Sequence, residues 1–118
     1  MVALGRRLGE AAAEGTVIAV MGDLGAGKTV LSRGIARGLG ITGRVPSPTY
    51  VIVQMLEGGR LPLAHGDLYR LGDEDELEQL GLDELMEGDG VTVLEWADRF
   101  ADALPADRLE AALERGIL

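Results

Sequence analysis

Hydrophobic and polar positions recur along the chain with two periods, and each period predicts a different kind of element. Apolar residues return at helical spacing over residues 3–14 and again from Val30 to Leu39, so both segments are predicted to be helices, the second starting near Lys28. Short apolar runs rich in β-branched residues occupy 16–21 and 90–96. Runs of this length and composition predict buried strands.

The rest of the pattern adds a hairpin and two less regular segments. Residues 49–56 and 61–67 flank a Glu-Gly-Gly-Arg turn at 57–60, which predicts an antiparallel pair within a chain otherwise of βα type. Residues 68–87 are acidic and leucine-rich and predict two short helices, whose carboxylates form a solvated face or, less favoured, a docking surface for a basic partner. The tail 105–115 has helix propensity, but its alternation also permits an edge strand.

The glycine-rich segment between the first strand and the second helix carries the clearest chemistry. Gly22, Gly27, Lys28 and Thr29 fit the pattern G-x-x-x-x-G-K-[ST], and a strand before it with a helix after it is the context of a P-loop. Glycines let backbone N–H groups turn inward around phosphates, the lysine reaches the β- and γ-phosphates, and the threonine hydroxyl ligates Mg²⁺. The predicted nucleotide-binding residues of this segment are Gly22, Asp23, Leu24, Gly25, Ala26, Gly27, Lys28, Thr29 and Val30.

Composition and charge limit the classes of function and the locations that are expected for the chain. The 118 residues predict one domain, and their net charge of −9 without a basic cluster argues against direct binding of nucleic acid. Cysteine is absent, no apolar run is long enough to span a membrane, and the first residues lack the order of a secretory signal, so the cytoplasm is the expected location. The chain has ten arginines and one lysine, Lys28, which stands where the loop needs a slim ammonium.

Two carboxylates at predicted strand ends could complete a catalytic site. Glu95 follows the apolar run 90–96 as in a Walker B segment, which makes it the leading candidate to bind Mg²⁺ or to polarise the attacking water. Asp67 ends the second hairpin strand and could also meet Mg²⁺ or that water. His65, the only histidine, is more often structural than chemical at such a position. Trp96 could stack near the nucleotide or anchor the core or surface.

A proline-flanked loop lies between the second helix and the hairpin. Two prolines flank Ser47, so the Ser47 and Thr49 hydroxyls are expected on a semi-rigid, extended segment. This loop either senses the γ-phosphate and its Mg²⁺, as switch loops do, or is a rigid connector into the next strand. The spacing favours neither interpretation.

Together these motifs resemble the TsaE family. Gly22-Asp-Leu-Gly-Ala-Gly-Lys-Thr29, Ser47-Pro-Thr-Tyr50, His65-Gly-Asp-Leu-Tyr-Arg-Leu71 and Glu95-Trp96 stand in the family's order and spacing, over about residues 4–110. The resemblance implies a single domain (residues 1–118) with a P-loop NTPase-type three-layer α/β sandwich, its sheet mostly parallel with some antiparallel strands. It implies Mg²⁺-dependent ATP hydrolysis, weak alone and stimulated by TsaD and TsaB. These proteins modify adenosine 37 of tRNA with threonylcarbamoyl, so tRNA is reached only through the complex.

The resemblance also assigns roles to individual residues. It implies that Lys28, Asp67 and Glu95 are catalytic, that Thr29 and Glu95 hold Mg²⁺, and that Thr49 and Trp96 lie near the nucleotide. Val30 departs from the family pattern, where a second hydroxyl residue is usual. Both ends are expected to be short, because the family predicts a strand before Ala3 and further strands after Leu113.

Other nucleotide-binding classes fit less well. A GTPase is disfavoured because the chain has no asparagine for a guanine motif and no D-x-x-G. A small-molecule kinase would need a lid over the phosphates, and the one segment long enough, 68–89, is acidic and would repel them. A nucleotide-dependent interaction switch remains open and overlaps with a slow, partner-controlled ATPase.

Overall fold

The computed structural model describes residues 2–22, 25–42, 53–68, 72, 75, 81, 86, 88–97, 100, 102, 104–105 and 107–113. In chain order, its elements are α1 (Val2–Ala11), β1 (Val17–Gly22), α2 (Gly25–Gly38), β2 (Val53–Leu56), β3 (Leu63–Asp67), β4 (Val91–Glu95) and β5 (Leu109–Leu113).

The five strands form one sheet in the order β2-β3-β4-β1-β5. Strand β2 pairs with β3 in antiparallel fashion, whereas the pairs β3–β4, β4–β1 and β1–β5 are parallel. The predicted mostly parallel α/β sheet with an embedded antiparallel hairpin is therefore confirmed. Because parallel strands run the same way, the carboxyl ends of β1, β3 and β4 meet at one edge of the sheet.

Side-chain alternation along the strands divides the core between the two sheet faces. On one face Ile18, Val20 and Val93 pack with Leu31 and Ile35 of α2. On the opposite face, residues of β1 and β4 pack with residues that follow β3 and β4. The buried residues on that side of the sheet are Val17, Ala19, Leu68, Met86, Leu94, Ala97, Phe100 and Leu104. The sheet thus lies between two layers, as the three-layer prediction requires.

Helices α1 and α2 cross so closely that their contact depends on glycine. A Cβ built on Gly9 would lie 2.9 Å from the Gly38 Cα and closer still to the Ile35 carbonyl oxygen, and one on Gly5 would lie 3.0 Å from the Gly34 Cα. Backbone atoms cannot move aside as the end of a flexible side chain can. The spacing of these glycines, four residues apart on each helix, therefore fixes how α1 docks on α2.

The hairpin turn is attached to the end of α1 by one arginine. The Arg60 guanidinium donates to the carbonyl oxygens of Gly9 and Ala12 at 2.9 and 2.7 Å, and to that of Glu10 at 3.3 Å. Helix ends leave such carbonyls without intrahelical partners. The Arg60 amide also donates to the Leu39 carbonyl at 2.6 Å. The turn therefore holds the ends of α1 and α2 together.

The main differences from the sequence predictions concern the two helices and the tail. Helix α1 ends at Ala11, not at 14, and α2 begins at Gly25, before Lys28. The ambiguous tail is a strand, β5, although its propensity favours a helix. Pairing with β1 gives the backbone of β5 hydrogen-bond partners and covers the free edge of β1, and this tertiary pairing outweighs a weak helix propensity.

Candidate active site

The strand register gathers the predicted site residues beside α2. Asp67 pairs with Glu95 across β3 and β4, and Val20 pairs with Glu95 across β4 and β1. Directly paired residues share a sheet face, and residues two apart on a strand do as well. Val20 packs against α2, so Glu95, Asp67 and His65 all lie on the α2 face of the sheet.

Glu95 is buried, with 2% of its surface exposed, and it joins three elements. Its Oε2 lies 2.6 Å from His65 Nε2 on β3 and 3.3 Å from the Ser32 hydroxyl on α2. The same hydroxyl lies 3.0 Å from the Lys28 carbonyl oxygen. Because a serine hydroxyl has one proton, it can donate to only one of these oxygens at a time. Ser32 therefore connects the P-loop helix directly to the carboxylate at the end of β4.

Lys28 lies in the first turns of α2 and is fully buried, with 0% of its surface exposed. Its Nζ lies 3.9 Å from the centroid of the Trp96 ring. Trp96 is half-buried, and a cation on the face of a tryptophan is stabilised by roughly 0.5–2 kcal/mol. The lysine and the Glu95–His65 pair are brought to the same end of the sheet by α2 and β4.

Trp96 reaches the lysine through an unusual backbone conformation. Its φ is 60°, the one positive φ of a non-glycine residue in the described part of the chain. Such a conformation costs a non-glycine residue about 1–2 kcal/mol. A straight continuation of β4 would direct the residue after Glu95 to the opposite sheet face. The left-handed turn at Trp96 ends the strand and lets its ring meet Lys28.

The donor set suits a hard cation that is bound together with phosphates. Among the described residues, no three His, Cys, Asp or Glu side chains group closely enough to form a metal site by themselves. Mg²⁺ usually takes one or two carboxylates and fills its other positions with phosphate oxygens and water. Glu95 could supply one such carboxylate.

The structure brings together only some of the predicted site residues. Gly22 ends β1, and Gly25, Ala26, Gly27, Lys28, Thr29 and Val30 form the first turns of α2. Asp23, Leu24 and Thr49 lie outside the described residues, as do Ser47 and most of the acidic segment 68–87. The proposed switch loop therefore stays a prediction. None of the helices in the described ranges has the length and apolarity that a membrane crossing requires.

The structure brings two further residues into this cluster. His65, which the sequence predicts to be structural more often than chemical, makes the shortest of the hydrogen bonds to Glu95 given above. A signal was present, since His65 is two residues before Asp67 on a strand and must share its face. Ser32 was not singled out, although it is four residues after Lys28 and so lies on the same side of α2.

Comparisons with known proteins identify the family. The model of the family described as "Threonylcarbamoyl adenosine biosynthesis protein TsaE" matches residues 1–117. This chain belongs to the TsaE family. It is similar to the tRNA threonylcarbamoyladenosine biosynthesis protein TsaE of Bacillus subtilis (strain 168), with 50% identity over 101 residues, 86% of this chain and 63% of that protein.

A second relative and a solved structure support the family membership and the fold. The Streptomyces coelicolor TsaE protein is 44% identical over 117 residues, covering 97% of this chain and 78% of the relative. The crystal structure of Bacillus subtilis YdiB superposes with a TM-score of 0.82 at 38% identity, covering 99% of this chain and 71% of that chain. The chain therefore spans between about three fifths and four fifths of the length of these relatives.

Proposed function

We propose that this TsaE-family chain is a Mg²⁺-dependent ATP hydrolase that supports threonylcarbamoyl modification of adenosine 37 in tRNA, in a complex with TsaD and TsaB. The observation that carries the proposal is the buried cluster of Lys28, Ser32, Glu95 and His65, where α2 begins beside the carboxyl ends of β1 and β4. The names of its relatives support the process. The P-loop pattern around Lys28 supports the nucleotide.

The proposal gives separate roles to Lys28, Glu95 and Asp67. Lys28 binds the β- and γ-phosphates and neutralises their charge, while the start of α2 aims backbone N–H groups at the same oxygens. Glu95 holds the metal or orients the attacking water, and Asp67, its neighbour across β3 and β4, supports it. Bound Mg²⁺ would neutralise charge that develops on the phosphate oxygens. Burial strengthens all these interactions because the site is shielded from water.

The charge of the chain decides how tRNA enters the proposal. A net charge of −9 gives this chain no electrostatic attraction for a polyanion, so tRNA is reached through TsaD and TsaB. Hydrolysis would then serve as a signal to the complex. Its rate would be low for the chain alone and higher when the partners bind. We locate this activity in the cytoplasm.

The test measures phosphate release by the chain alone, with the TsaD–TsaB pair, and with the pair plus tRNA. We expect slow Mg²⁺-dependent hydrolysis alone and a clear increase with the pair, both lost in Lys28→Ala. Equal turnover with and without the partners would remove the coupling. Absence of Mg²⁺-dependent hydrolysis in every mixture would remove the ATPase itself.

A further inference from the structure

A buried histidine holds the proposed metal-binding carboxylate. His65 is 1% exposed, and its Nε2 lies 2.6 Å from Glu95 Oε2. Its other ring nitrogen, Nδ1, is buried and has no hydrogen-bond partner among the described residues. A histidine that served only to fill the core would gain little from one very short polar contact and one unpaired nitrogen, because unpaired buried polar groups are costly.

We propose that His65 is a positioning residue, which orients Glu95 as an oxygen ligand for Mg²⁺ while leaving the carboxylate its negative charge. This inference rests on the proposed function, because it assigns a role toward the metal that accompanies ATP. It concerns how His65 acts through Glu95 and places no part of the histidine on the substrate.

The unpaired nitrogen indicates which tautomer holds the carboxylate. Gln54 pairs directly with His65 across β2 and β3, and its Oε1 is likewise buried without a hydrogen-bond partner among the described residues. Since Nδ1 has no acceptor among the residues that the structure describes, a proton there would be a buried N–H without a partner. A buried N–H without a partner is rarer than an unpaired acceptor. The proton therefore belongs on Nε2, which donates it to Glu95 Oε2.

A neutral donor explains why histidine stands here instead of lysine or arginine. A cationic partner would fix the carboxylate equally well but would cancel its charge, and with it the attraction for Mg²⁺. A neutral imidazole fixes the oxygen through a charge-assisted hydrogen bond, and the pair keeps a net charge of −1. Hydrogen bonds that orient a metal ligand in this way typically change metal affinity by about 10- to 100-fold.

Substitutions of matched polarity separate this role from simple packing. The amide nitrogen of His65→Gln can reach the position of Nε2, whereas that of His65→Asn is placed nearer Nδ1, and His65→Leu has no donor. Calorimetry would give the dissociation constant of a non-hydrolysable ATP analogue with and without Mg²⁺ for each protein. The quantity of interest is the factor by which Mg²⁺ tightens binding.

We expect His65→Asn and His65→Leu to lose roughly 10- to 100-fold of the factor by which Mg²⁺ tightens binding, while His65→Gln retains most of that factor. Equal losses in Gln and Asn, or equal losses with and without Mg²⁺, would overturn the positioning role. If the wild-type protein binds no nucleotide, the proposed function fails instead, so the two failures are distinguishable.

A variant-free measurement covers the case in which the substituted proteins do not fold. The chain has a single histidine, so its ring ¹⁵N signals in an NMR spectrum belong to His65 without further assignment. We expect a neutral ring protonated at Nε2, and an Nε2 signal that shifts when Mg²⁺ is added to the nucleotide-bound protein. A ring protonated at Nδ1, or ring signals that do not shift when Mg²⁺ is added, would refute the proposal.

Discussion

The glycine contact between α1 and α2 makes a prediction in which two effects have opposite signs. Replacing Gly9 by alanine in α1 removes a residue that is unfavourable in a helix, which alone would stabilise the protein by about 0.8–1.0 kcal/mol. The added methyl group, however, would lie 2.9 Å from the Gly38 Cα. The sign of the measured change in unfolding free energy shows which effect is larger.

The structure allows the unfavourable effect to be sized. Carbon atoms in contact prefer separations of about 3.5–4.0 Å, and the Ile35 carbonyl oxygen would lie closer still than the Gly38 Cα, so the two helices would have to move apart by about 1 Å or more. Overpacking of this kind costs about 1–3 kcal/mol. Because the closest contacts are with backbone atoms that cannot turn aside, the upper part of that range applies, about 2–3 kcal/mol. Subtracting the propensity gain leaves Gly9→Ala less stable than the wild type by about 1–2 kcal/mol. The entropy of unfolding is about 2.1 cal/mol/K per residue, so for a chain of 118 residues the melting temperature should fall by roughly 4–8 °C.

Urea unfolding followed by circular dichroism measures this change, and Arg7 supplies the matched control. Arg7 is an exposed position in the same helix, two residues from both Gly5 and Gly9. There the exchange meets only solvent, so Arg7→Ala should be more stable than Arg7→Gly. If Gly9→Ala were also more stable than the wild type, the helices would have room for a side chain, and the reasoning from close contact would be wrong.

Two further predictions concern the site. Trp96 is the only tryptophan, so the fluorescence of the protein reports on this residue. The signal should change when ATP–Mg²⁺ draws Lys28 away from the face of the ring. The Lys28→Met variant keeps the length of the side chain without its charge and should lose that response. Glu95→Ala should abolish ATP hydrolysis, as measured by phosphate release, whereas Asp67→Asn should lower it less. Near wild-type turnover in Glu95→Ala would make Asp67 the primary carboxylate.

Much of the fold was accessible from sequence because its signals are local. A β-branched run, a glycine-rich turn and a helical period are contained within residues 16–39, and β1 and α2 follow them within a few residues. The hairpin was equally local, since a Gly-Gly turn between two apolar runs predicts an antiparallel pair. The position of Glu95 at the end of a buried strand was also correct, because an acid after an apolar run is itself a local pattern.

How those elements pair with one another could not be predicted from local sequence in the same way. Strand order and register are set by contacts between distant segments, so nothing near His65 shows that it will lie 2.6 Å from Glu95, thirty residues away. Strand β5 is a similar case, because its own propensity favours a helix and only the edge of β1 makes it a strand. The strained turn at Trp96 has no sequence signal either.

Helix α2 connects the two kinds of feature that matter most in this chain. Lys28 and then Ser32, whose hydroxyl contacts Glu95, come earlier in the helix, while Gly34 and Gly38, on which α1 packs, come nearer its end. A helix is stiff over this length, so displacement at Gly38 is transmitted toward Ser32, whose contact with Glu95 is only 3.3 Å long. A misplacement of 1 Å can cost about 100-fold in rate. We therefore expect the close helix contact to influence the position of Lys28 relative to the carboxylate that the proposed ATPase requires.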